Sequence, residues 1–141
     1  MSNSIKKLLI LSSGGDSPGM NAGVRAALRS ALFHNIEVYG CENGFQGLVD
    51  KTVFPMTSRD AANCIQRGGT ILKSARCHAF LEKAMRDECR AYLHSLGIDA
   101  MVILGGDGSF RGAWVLENEG GPRTIGIPCT IDNDKIGRAH V

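Results

Sequence analysis

Met101–Gly112, MVILGGDGSFRG, is the stretch whose reading decides the fold. Val102, Ile103 and Leu104 form a short apolar run that predicts a buried strand. Gly105-Gly106 breaks the run, Asp107 follows, and Gly108-Ser109 leads into residues that can be helical. A strand that ends in glycines before a helix lets backbone N–H groups approach an anion. The aligned peptide dipoles place roughly half a positive charge at that helix end. Asp107 is the unexpected member, since a carboxylate repels phosphate. It fits if a divalent cation lies between them, because Mg²⁺ is usually held by one or two carboxylates together with substrate phosphates. A plain strand-to-helix turn capped by Asp or Ser fits the same residues.

Outward from this stretch, strand and helix patterns alternate. Leu8–Leu11 is a second apolar run, followed by SSGGDSPGMN and a helical pattern from about Asn21 to Phe33. Val24, Ala27, Leu28, Ala31 and Leu32 recur at helical spacing and should face the core. Arg25 and Arg29 share a face four residues apart, as solvated surface pairs often do. Glu37–Cys41 reads as a strand, ENGFQGL as turns, and Thr52–Phe54 as an edge strand stopped by Pro55. Thr57, Ser58 and Asp60 offer caps for a helix to about Gln66, and ILKSARC reads as loop. Met85, Cys89, Tyr92, Leu93 and Leu96 mark a helix over about 81–96, with Gly97 as its stop. A helix through Ala113, Trp114 and Leu116 follows the central turn, with Trp114 expected as a packing residue. Thr124–Ile127 is the last strand, before PCTIDNDK. This order predicts a three-layer, Rossmann-like α/β fold, with a mainly parallel sheet and helices on both faces. The turns at Gly14-Gly15, Gly105-Gly106 and Cys129–Asp134 all follow strands. In such sheets the ligand crevice lies outside the carboxyl ends of the strands, so the three should converge.

The chain has 141 residues, 43% hydrophobic and 21% charged, as expected of about one globular domain. A net charge of +2 gives no support to a nucleic-acid or membrane-surface role. Five scattered cysteines without a CxxC pair argue against a disulfide framework or zinc site and fit a reducing compartment. The histidines lack ligand spacing. Neither a secretory leader nor a run long enough to span a bilayer is read, and a cytoplasmic location is expected.

Neither GxxxxGK[ST] nor GxGxxG is present, which disfavours P-loop and dinucleotide chemistry. What remains is the glycine-rich cradle with Asp107 and the turn Thr130-Ile131-Asp132-Asn133-Asp134. Phosphoryl transfer to a hydroxyl needs a cation on the phosphates and a carboxylate to take the hydroxyl proton. Asp107 and Asp132 suit these roles, although TIDND taken alone reads better as an Asx-rich turn that caps its own backbone.

SGGDSPGMN at 13–21, RGGT at 67–70, SAR at 74–76, GGDGS at 105–109 and TIDND at 130–134 stand in one order that resembles the phosphofructokinase family. The resemblance runs from about Lys6 to Asp134 and is to the N-terminal part of ATP-dependent, bacterial-type members. It implies transfer of the ATP γ-phosphoryl group to the 1-hydroxyl of fructose 6-phosphate, with Mg²⁺, in glycolysis. It implies ATP contacts at Gly15, Arg76, Cys77, Gly106, Asp107, Gly108 and Ser109, with Asp107 as the magnesium ligand. Thr130, Ile131 and Asp132 become sugar-phosphate residues and Asp132 the catalytic base. Arg25 and Arg29 match the effector-site helix. Family members are oligomers, usually tetramers.

Departures from the family pattern qualify this. Cys129 stands where many ATP-dependent members have Gly and pyrophosphate-dependent ones have Lys; with GGDGS intact, ATP is the expected donor. Phe45 replaces a Tyr near the nucleotide. PMTSRDAAN at 55–63 lacks the usual leading Arg, which weakens the case for allosteric control by nucleotide diphosphate or phosphoenolpyruvate. Residues 1–135 are read as an incomplete N-terminal ATP-binding domain. Ile136–Val141 departs from the family and is also what a common sequencing adapter encodes in one frame, so these six residues are expected not to be native. The alternatives are a nucleotide-binding fragment without catalysis and a pyrophosphate-dependent phosphofructokinase. A lipid or NAD kinase with a similar GGDG turn is disfavoured by SGGDSPGMN and TIDND.

Overall fold

A computed structural model describes residues 5–12, 18–41, 44–63 and 82–128. Five strands form one sheet: β1 (Lys7–Ser12), β2 (Glu37–Cys41), β3 (Val53–Met56), β4 (Ala100–Gly105) and β5 (Arg123–Pro128). The five helices are α1 (Pro18–Phe33), α2 (Gly44–Asp50), α3 (Ser58–Asn63), α4 (Lys83–Leu96) and α5 (Asp107–Asn118). The strand order is β3-β2-β1-β4-β5, parallel throughout except for the antiparallel β2–β3 pair.

Alternation along the strands divides the core in two. Leu8 and Ile10 of β1, with Ala100, Val102 and Leu104 of β4, pack under Val24, Leu28 and Ala31 of α1. Leu9 and Leu11, with Met101 and Ile103, face the other way, onto Phe45 and Leu48 of α2, Cys89 and Leu93 of α4, and Ala113 and Leu116 of α5. Helices therefore cover both faces, as expected of a three-layer fold. β4 is buried along its whole length because it lies between β1 and β5 and is covered on both sides. Each fully buried aliphatic side chain here contributes about 1.5–3 kcal/mol.

Local signals explain the element ends. Gly97 takes the left-handed conformation (φ 77°) and its N–H closes on the His94 carbonyl, ending α4 as expected. Ahead of α3, the Asp60 carboxylate accepts the Thr57 N–H at 2.7 Å, the return arm of a capping box.

Four expectations need correction. ENGFQGL is not all turn: Gly44 onwards is helical, and Phe45 and Leu48, three residues apart, bury one face of α2. Pro55 does not stop β3. It pairs with Tyr39 within the strand, and an edge strand tolerates a residue without a donor. α1 begins at Pro18 rather than Asn21, since proline suits the first helical position, where the N–H has no intrahelical acceptor. Trp114 is 63% exposed, because Ala113 and Leu116 take the buried face of α5.

Candidate functional site

The carboxyl ends of three parallel strands lie level with one another. Ser12, the last residue of β1, pairs with Leu104, and Gly105, the last of β4, pairs with Pro128, the last of β5. Neighbouring strands are about 4.8 Å apart. The segments that leave β1, β4 and β5 therefore depart from one short row. The sheet order also reverses at β1, with β2 on one side and β4 on the other, which is the switch point where such sheets open a crevice.

At this row the chain turns from β4 into α5. Gly106 is extended (φ −122°, ψ −164°) and occupies the cap position without a side chain to bond the helix. Its carbonyl accepts the Phe110 N–H at 3.0 Å, which closes the first turn. The N–H groups ahead of Phe110 have no intrahelical acceptor, and they form the positive end of the α5 dipole at this row. Asp107 is the first helical residue and Ser109 is buried. Gly108 is exposed, and a Cβ built on it would meet nothing within 4 Å.

The opposite end of α5 is held by a cationic stripe on α4. The Arg86 guanidinium forms a bidentate pair with Glu119, Nε and Nη2 each 3.0 Å from a carboxylate oxygen. Arg90 donates to the Glu119 carbonyl at 3.1 Å, and His94 Nε2 lies 3.4 Å from the Gly120 carbonyl. These groups satisfy the negative end of the α5 dipole. The hydrogen bond from Arg86 holds the Glu119 carboxyl below the usual carboxylate range, and the same bond raises Arg86. Asp87, hydrogen-bonded to Lys83 and Arg90, is also lowered.

Of the residues singled out in the sequence, Gly106, Asp107, Gly108 and Ser109 come together at the head of α5. Gly15, Arg76, Cys77, Thr130, Ile131 and Asp132 lie outside the described residues. Arg25 and Arg29 lie one turn apart on α1. Arg29 is exposed, whereas Arg25 is half-buried and its Nε has no hydrogen-bond partner among the described residues. Cys41 and Cys89 are buried. Among the described residues no three His, Cys, Asp or Glu side chains gather as a metal site, and no helix is long and apolar enough to cross a membrane. Sequence reading missed the α4 stripe. The spacing of Arg86, Arg90 and His94, four residues apart each time, carried that signal.

The sequence matches the family model described as PFK: Phosphofructokinase over residues 7–140. The chain belongs to the phosphofructokinase family. It is 62% identical to the ATP-dependent 6-phosphofructokinase of Coxiella burnetii, over 94% of this chain and 41% of the relative. It is 52% identical to that of Macrococcus caseolyticus over the same shares. The chain thus spans about two-fifths of the length of the curated relatives it matches. Among solved structures, phosphofructokinase from Saccharomyces cerevisiae superposes with a TM-score of 0.85 at 33% identity, covering 92% of this chain and 20% of that one. The pyrophosphate-dependent phosphofructokinase from Nitrosospira multiformis shares the fold alone, with a TM-score of 0.77 at 18% identity, over 92% of this chain and 35% of that one.

Proposed function

We propose that this chain is the nucleotide-binding front of an enzyme that transfers the ATP γ-phosphoryl group to the 1-hydroxyl of fructose 6-phosphate, yielding fructose 1,6-bisphosphate in glycolysis. The observation that carries the reading is Gly108. It sits in the first turn of α5 with free space, among the described residues, where a side chain would be, beside N–H groups that have no intrahelical acceptor. The fold does not need a glycine there, whereas a polyphosphate approaching the backbone does.

In this reading Gly15, Arg76, Cys77, Gly106, Gly108 and Ser109 hold ATP. Asp107 holds Mg²⁺ together with the phosphates, a donor set that one carboxylate at a helix head satisfies. When bound, the ion neutralises charge on the transferring phosphoryl group. Thr130 and Ile131 contact the sugar phosphate, and Asp132 accepts the proton of the attacking hydroxyl. Cys129, too small to fill an adenine site, and the unsubstituted Gly108 favour ATP over pyrophosphate. Arg25 and Arg29 form part of a site for an anionic effector, supported by the Arg25 Nε, which has no partner among the described residues. The complete enzyme is a cytoplasmic homotetramer. Residues 1–135 belong to its first domain.

By itself the 141-residue chain is expected to bind nucleotide without turnover, because positioning carries most of phosphoryl-transfer catalysis and the acceptor side needs more protein than this. The test has two arms. Calorimetric titration of the chain with Mg·ATP should show binding, and Mg·pyrophosphate should bind more weakly. Residues 7–135 grafted in place of the matching part of the 62%-identical relative should give ATP-dependent phosphorylation of fructose 6-phosphate. A folded graft that uses pyrophosphate instead, or turnover by the isolated chain, would contradict the reading.

A further inference from the structure

The nucleotide turn and the end of β5 are in contact through one side chain. Phe110 follows the GGDGS turn, and its N–H closes that turn on the Gly106 carbonyl at 3.0 Å. Its ring lies close enough to β5 that a Cβ built on Gly126 would stand 2.9 Å from two ring carbons and 3.3 Å from a third. Real Cβ atoms essentially never come that close to a neighbour, so only glycine at 126 lets the ring sit there. Gly126 is the register partner of Ile103, in the buried strand that feeds the same turn. Two residues further on β5 ends at Pro128, level with Gly105. The sequence then runs directly into Cys129–Asp134.

We propose that Phe110 is a positioning residue that fixes the distance between the phosphate-donor turn, Gly106–Ser109, and the end of β5, from which the acceptor side departs. The proposal rests on the nucleotide reading above. The backbone of Phe110 belongs to the donor turn and its ring belongs to the β5 contact, so this one residue links the two. A ring on an open glycine also has no side chain between it and the strand, which is the shortest link the two elements can have.

The test is hydrogen exchange of the 141-residue chain with and without saturating Mg·ATP, read at residues 106–110 and at 124–127. In the wild-type chain Mg·ATP should slow exchange at both stretches, about fivefold or more at the second. Phe110→Leu should keep the slowing at 106–110 and reduce that at 124–127 to less than about twofold. Gly126→Ala, which displaces the ring without deleting it, should do the same. Melting curves for both variants establish that they are folded, and either folded variant suffices. Equal slowing at 124–127 in wild type and a folded variant overturns the positioning role and leaves the nucleotide reading intact. Absence of slowing at 106–110 in the wild-type chain overturns the nucleotide reading, and this inference with it.

Discussion

Replacing Gly108 by Ala should move stability and nucleotide binding in opposite directions. The residue is helical, its φ is not positive, and among the described residues no heavy atom outside the local helix backbone lies within 4 Å of the added methyl. Nothing in the fold opposes the change, so the helix gains what Ala normally gains over Gly, about 0.5–1 kcal/mol. For a chain of this length that is a rise in Tm of roughly 2–4 °C. The methyl occupies the space beside the first N–H groups of α5, where a phosphate would need to come. Overpacking of that kind costs about 1–3 kcal/mol, or roughly 5- to 150-fold in Kd for Mg·ATP. Thermal melts and calorimetric titration read the two effects separately. Gly121→Ala is the control. Its Cβ would lie 2.8 Å from the Leu116 carbonyl oxygen, which also accepts the Gly121 N–H, so it should lower Tm and leave Kd unchanged in the folded protein. A Gly108→Ala chain that binds Mg·ATP like wild type, or that melts earlier, would refute the argument that this glycine is kept for a ligand.

Three further outcomes are expected. Leu9→Ala, at a fully buried position between α2, α4 and α5, should lose about 2–5 kcal/mol in urea unfolding. Glu119 and Asp87 titrate below their unfolded values, so their stabilisation is complete above the ordinary carboxylate range and is lost as pH falls through the folded pKa values; Glu119→Gln should flatten that acid limb in urea midpoints taken from pH 7 to pH 3. In the graft, Asp132→Asn should lower kcat by about 10²–10⁴-fold with far less change in KM, and an unchanged kcat removes Asp132 from the base role.

The centre of the sheet was legible because β1 and β4 are unbroken apolar runs that end in polar or glycine turns. β1, β2, β4 and β5 fall where Leu8–Leu11, Glu37–Cys41, Val102–Leu104 and Thr124–Ile127 put them. Helix α2 was not legible, because Gly44 and Gly47 read locally as turn residues. Only burial of Phe45 and Leu48 against β1 and β2 outweighs that propensity. Pro55 misled in the same way, since its tolerance depends on β3 being an edge, which is a property of the sheet and not of the segment. At the site, GGDGS was legible by motif. The role of Phe110 was not, because the glycine it rests on lies sixteen residues away on another strand.

The bonds from α4 to the end of α5 also have a kinetic meaning. They join residues 33, 29 and 26 apart in sequence, whereas Asp99 reaches back to Lys6 across 93. Closing a short loop costs less entropy than closing a long one, and local contacts form first. The run from Lys83 to Pro128 is thus able to assemble as a βαβ-like unit before β1 docks against β4. In that order of events the head of α5 is shaped early, and the arrival of β1 completes the crevice around a turn that already exists.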